Sequence, residues 1–181
     1  MVRIGATGFL SDIRDQSSYR EFPENDFQEI KSAIENVPTE LFIDRTKGSE
    51  LKKFDLRISE GLKEYEYEHN AESGRNPVCK LWKNEGFNHS VDLYHPEKRI
   101  AIEIEKSEQK RVSDDILKFI KGGKTQLENR KKIEFGSIIV PTNYRGSGNV
   151  FRSSMRNLEF MRSILFVEDV AVIGYKDPRW D

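Results

Sequence analysis

The spacing of apolar residues along this chain changes from helical to alternating, and then switches between the two. Phe27, Ile30, Ala33 and Ile34 follow the polar Glu24-Asn25-Asp26 at helical intervals, predicting an amphipathic helix stopped by Pro38. Ser49 can cap a second helix running to about Tyr67, with Leu51, Phe54, Leu56, Ile58 and Leu62 as its apolar positions. Gly74 and Asn76 mark residues 70–77 as a loop. The period then shortens to two. Residues 78–82, 89–94 and 99–105 read as strands, the last alternating most strongly, with a turn at His95-Pro96-Glu97-Lys98. Ser113 followed by Asp114 and Asp115 reads as the cap and acidic first turn of a third helix, ended or interrupted at Gly122-Gly123. Residues 135–140 form an apolar strand closed by Pro141, and 142–149 a loop. A helix over 150–166 and a strand over 169–175 complete the order. Residues 1–24 have no clear period and read as an irregular arm. This order predicts an α/β fold, a mixed central β-sheet flanked by helices, with its core over 49–175 of one domain spanning 1–181.

Composition narrows the class. The 181 residues are 36% hydrophobic and 34% charged, and no apolar run approaches a membrane span. One cysteine, Cys79, and three scattered histidines exclude a disulfide scaffold and a zinc module. A soluble cytoplasmic protein is expected, with Cys79 as a buried packing group and His69, His89 and His95 at the surface or in turns. The net charge of -1 hides an asymmetry. Residues 98–162 hold fifteen Lys/Arg against eight Asp/Glu, leaving fifteen against twenty-three elsewhere. A basic working face on an acidic body is the electrostatic signature of a polyanion partner.

The strongest strand carries chemistry. Alternation sends Ile100, Ile102 and Ile104 to one face and Ala101, Glu103 and Glu105 to the other. On the neighbouring strand Val91 and Leu93 take the apolar face, so Asp92 joins the two glutamates. Crowded carboxylates repel one another, and a divalent cation with a preference for hard oxygen ligands relieves that cost. Lys98 and Lys106 offer the alternative of ordinary cross-strand ion pairs.

Asp92, ten intervening residues, then Glu103-Ile104-Glu105-Lys106, set between an upstream and a downstream helix, resembles the PD-(D/E)xK nuclease superfamily, and within it the type II restriction endonucleases. The resemblance implies a restriction-endonuclease-like core that cleaves duplex DNA with Mg²⁺. Asp92 and Glu103 take the metal-ligand positions, and Ile104 lends its backbone carbonyl. Glu105 stands where most members have lysine, and Val91 replaces the proline. The catalytic set is therefore Asp92, Glu103, Glu105 and Lys106, with the water-activating group left between the last two. On a regular strand Lys106 points to the opposite face, and only a bulge would return it. Glu64 or Glu68 could add an acid from the upstream helix. Gln109, Lys110 and Arg111 follow the acidic strand and suit phosphate contacts. Asn143 and Arg145, in the loop over 142–149, suit base edges, and Arg152 and Arg156 lie one helical turn apart to track the backbone. Duplex targets of two-fold symmetry imply a homodimer. Two alternatives remain: a nuclease resolving branched DNA, and a non-catalytic DNA-binding protein on a decayed nuclease fold.

Overall fold

The computed structural model describes residues 1–14, 18–42, 50–69, 90–106, 109–124 and 132–181, with residues 50–52, 109 and 110 described by backbone alone. In chain order the elements are β1 (Arg3–Phe9), α1 (Glu24–Glu35), α2 (Glu50–Leu62), β2 (Glu68–His69), β3 (Leu93–His95), β4 (Ile100–Ile104), α3 (Gln109–Lys124), β5 (Phe135–Pro141), α4 (Val150–Met161) and β6 (Asp169–Lys176). Among the described residues they build one six-stranded sheet in the order β1-β6-β5-β4-β3-β2. The central β4, β5 and β6 run parallel, while β1, β3 and β2 add antiparallel pairings at the two sides.

Helices cover both faces of the sheet, so its central strands β4, β5 and β6 are buried on both sides. Phe27, Ile30 and Ile34 of α1 and Phe54, Ile58 and Leu62 of α2 pack with Ile100, Ile102 and Ile104. Val112, Ile116 and Phe119 of α3 and Val150 and Leu158 of α4 pack with Ala101, Ile138 and Val172. The crossovers β4-α3-β5 and β5-α4-β6 progress the same way across the sheet, which puts both helices on one face. Burial on both faces explains the continuous apolar runs of β5 and β6. Glycine allows α3 to approach β5 closely: a Cβ on Gly136 would sit 2.5 Å from the Phe119 ring.

Several sequence expectations need correction. The first 24 residues are not an irregular arm, since residues 3–9 form β1 against β6. Buried Asp169 ties the following segment down: Oδ1 accepts from the Ser11 and Val170 N–H groups, and Oδ2 from the Ser11 hydroxyl and the Phe22 N–H. A register irregularity between Ile4 and Ala6 breaks the period of two, which hides this strand from pattern reading. Helix α3 begins at Gln109, so Ser113 lies inside it, and Gly122 and Gly123 fall in its last turn, which runs to Lys124. Leu56 is exposed, not core. Val91 joins the cluster on the α3 side rather than the one containing Leu93, because the chain bends at Asp92. His69 and His95 are buried; the His95 ring meets Tyr67 edge-on and its Nδ1 accepts from the Lys98 N–H at 3.2 Å. The expected strand over 78–82, with Cys79, and His89 lie outside the described residues.

Candidate active site

The carboxyl end of β4 opens into a cavity of 620 Å³ lined by Asp55, Asp92, Glu103, Ile104, Glu105, Lys106, Arg111, Asp114, Asp115 and Lys118. Carboxyl ends of parallel strands are where α/β sheets bind ligands, because chain leaving each strand diverges there. The hairpin positions the first acid. Asp92 lies just before β3, its N–H donates to the Ile102 carbonyl at 3.1 Å, and its Oδ2 accepts from the Ile104 N–H at 2.7 Å. That clasp holds Asp92 beside the strand that carries Glu103.

Glu103 is buried against α3, where Lys118 Nζ donates to its Oε1 at 2.8 Å and to Asp115 Oδ1 at 3.1 Å. Glu105 follows β4; its N–H donates to the Ile139 carbonyl at 2.9 Å and its Oε1 accepts from the Lys106 N–H at 3.0 Å. Lys106 pairs with Asp55 of α2, the helix on the opposite side of the sheet from α3. It therefore behaves as regular alternation demands. Lys98 pairs with Asp26 and Glu29 of α1 and takes no part in neutralising the acidic hairpin.

Burial and mutual repulsion set the electrostatics. Burial, then the charges of Asp92 and Asp115, push Glu103 well above the usual carboxylate range against the pull of Lys118. Burial likewise raises Asp55 to about 7, opposed by Lys106 and reinforced by Asp92 and Glu105. Asp115 is raised to about 6 for the same reason, opposed by Lys118. Burial draws Lys118 down, but the combined Glu103 and Asp115 carboxylates override it and hold the lysine above its ordinary range. These acids would be less costly to keep charged with a further cation present.

The donor set is all oxygen, which fits a hard divalent cation. Among the described residues no three His, Cys, Asp or Glu side chains stand close enough to hold a metal as arranged; Glu103 is paired with Lys118 and Asp55 with Lys106. Loading would exchange an ion pair for a metal contact.

Of the expected site residues, Asp92, Glu103, Ile104, Glu105, Lys106 and Arg111 share the cavity. Gln109 and Lys110 open α3 beside it, with side chains outside the described set. Asn143 is committed elsewhere: it donates to the Asp177 carbonyl and Asp181 Oδ1 and accepts from the Asp177 N–H, clamping the C-terminal tail rather than presenting itself to a base. Arg145 is exposed in a left-handed conformation (φ 52°) in a turn closed by a Tyr144–Gly148 bridge. Arg152 and Arg156 are exposed on α4 and do not line the cavity. The acid from the upstream helix is Asp55, not Glu64 or Glu68. Asp115 and Lys118 were also absent from the expected set, although their i, i+3 spacing on one face of a helix that follows the acidic strand is visible in sequence.

A mixed sheet between two pairs of helices, with acids and lysines gathered at the end of its parallel strands, defines a restriction-endonuclease-like α/β fold. The chain belongs to the family described as "Putative halobacteria restriction endonuclease", whose model matches residues 2–175. Among solved structures it is similar to restriction endonuclease BglII complexed with a DNA 16-mer, with a TM-score of 0.59 at 11% identity, covering 93% of this chain and 74% of that one. A search of curated proteins finds no match. Family and fold together support a nuclease of the restriction-enzyme type. Among the described residues no helix is long and apolar enough to cross a membrane.

Proposed function

We propose that this chain is a Mg²⁺-dependent endonuclease that hydrolyses phosphodiester bonds of double-stranded DNA. It acts as a type II restriction enzyme, a homodimer of single-domain subunits in the cytoplasm. The observation that carries the reading is the meeting of Asp92 and Glu103 at one cavity, with Ile104 between them through its clasped N–H. Asp92, Glu103 and the Ile104 carbonyl would hold the metal. When bound, Mg²⁺ supplies Lewis-acid polarisation of the phosphate and a lowered proton affinity for water.

The chain's own groups do the rest. Glu105 lies beside Glu103 at the cavity and is the proton acceptor for the attacking water. The water oxygen bonds to phosphorus as the bond to the leaving oxygen breaks; one proton passes to Glu105 and the leaving oxygen takes one from solvent. Lys106 serves less directly, because its charge is balanced by Asp55. Arg111 at the cavity, with Gln109 and Lys110 beside it, holds phosphates, and Arg145, Arg152 and Arg156 extend the contact along the duplex.

The test is incubation with plasmid DNA in Mg²⁺ and in chelator. Discrete fragments appearing only with Mg²⁺ support the reading. Cutting confined to four-way junctions would replace it with a resolving nuclease, and binding without cleavage under all conditions would leave a DNA-binding protein.

A further inference from the structure

Lys118 has no place in the motif that pointed to this site, yet it contacts Glu103 directly. It projects from α3 to the carboxylate that the proposed metal needs, 2.8 Å away, and Asp115 one turn earlier steadies it at 3.1 Å. Its side chain is 17% exposed, at the wall of an open cavity rather than in the apolar core. Partly buried ion pairs of this kind return little stability, since desolvation of both charges consumes most of the attraction. Packing alone therefore gives a weak account of a lysine here. Lys106, the lysine that sequence order offers, has its charge matched by Asp55 on the far side of the sheet.

We infer that Lys118 is the cation of the catalytic centre: it holds Glu103 while no metal is bound, and turns to the scissile phosphate once a divalent ion takes that carboxylate. This rests on the nuclease reading above and assigns it a residue. The charge count supports the exchange. Without metal, the one ammonium of Lys118 faces both Glu103 and Asp115. With a divalent ion held by Glu103, Lys118 would be released to direct its charge at a phosphate oxygen. The same lysine competes with the metal for Glu103, so removing its charge should tighten metal binding while slowing cleavage. A lysine that only supports the fold would loosen metal binding as its site deteriorates.

The experiment compares wild type, Lys118→Met, Lys118→Gln and Lys118→Arg, each checked for folding by circular dichroism. Mg²⁺ alone is titrated by calorimetry into DNA-free protein, and plasmid cleavage is measured at saturating Mg²⁺. Lys118→Met is expected to bind Mg²⁺ roughly tenfold more tightly and to cleave at least about 100-fold more slowly, as expected for losing one charge from a shielded site. Lys118→Arg should return both properties toward wild type. Lys118→Gln carries the same test should the methionine variant fail to fold. Unchanged or weaker Mg²⁺ affinity in the uncharged variants, or cleavage at the wild-type rate, would overturn the inference. Tighter Mg²⁺ binding in a protein whose wild type cuts no DNA would uphold the competition for Glu103 and reject the nuclease reading instead.

Discussion

Replacing Asp55 by asparagine should make the protein relatively more stable as pH rises. Asp55 is held at about 7 against an ordinary 3.8, chiefly because burial disfavours its charge more than Lys106 favours it. A carboxylate whose folded value is raised binds its proton more tightly in the native state, so stability is lost as pH climbs from near 4 through 7. With those two values, the preference of the native state for the protonated form lowers stability, relative to acid, by about 2 kcal/mol at pH 5 and about 4 kcal/mol at pH 8. Asparagine keeps the shape without the charge. Leaving Lys106 without a carboxylate adds an offset of its own, so the informative quantity is the change across pH rather than either value alone. Urea unfolding of both proteins in chelator at pH 5 and pH 8 measures it. Asp55→Asn should gain about 2–3 kcal/mol on wild type between the two conditions, from the difference of those costs. A difference that stays constant, or that moves against the variant as pH rises, would show that Asp55 is not a carboxylate held against burial.

Four further substitutions have outcomes set by the geometry. Asp169→Ala removes the acceptor of four hydrogen bonds in the interior and should destabilise the protein by about 3–5 kcal/mol in the same unfolding assay, exposing the β1 segment to proteolysis. Arg111→Ala should weaken duplex binding uniformly across sequences and lower the slope of log affinity against log salt by about 1, measured by fluorescence anisotropy in chelator. Arg145→Ala should relax sequence preference in a cleavage survey of varied duplexes, whereas Asn143→Ala should leave preference unchanged and lower the melting temperature through loss of its clasp on Asp177.

Much of this arrangement was legible in the sequence where short-range rules dominate. The isoleucines of β4 alternate with Glu103 because the strand is regular, and that regularity also sent Lys106 toward α2, where Asp55 receives it. The convergence of Asp92 and Glu103 on one cavity is legible because hairpin register is local: β3 and β4 are joined by a tight turn, and Asp92 bonds directly to Ile102 and Ile104. What escaped depends on long-range packing. Strand β1 contains small residues at Gly5 and Gly8, where Thr142 and Met155 press close, so it lacks the apolar alternation of a strand. Asp55 and Lys118 reach the cavity from opposite faces of the sheet, a meeting that only the crossovers decide. Asn143 sits in a loop of residue types suited to base contacts, yet the tail it clasps comes from 34 residues away.

The most direct test of the metal centre is a crystal soaked in Mn²⁺ and read by anomalous scattering. A peak is expected between Asp92, Glu103 and the Ile104 carbonyl, with the Glu103–Lys118 contact opened. An ion seated elsewhere, or none at all with that contact intact, would contradict it.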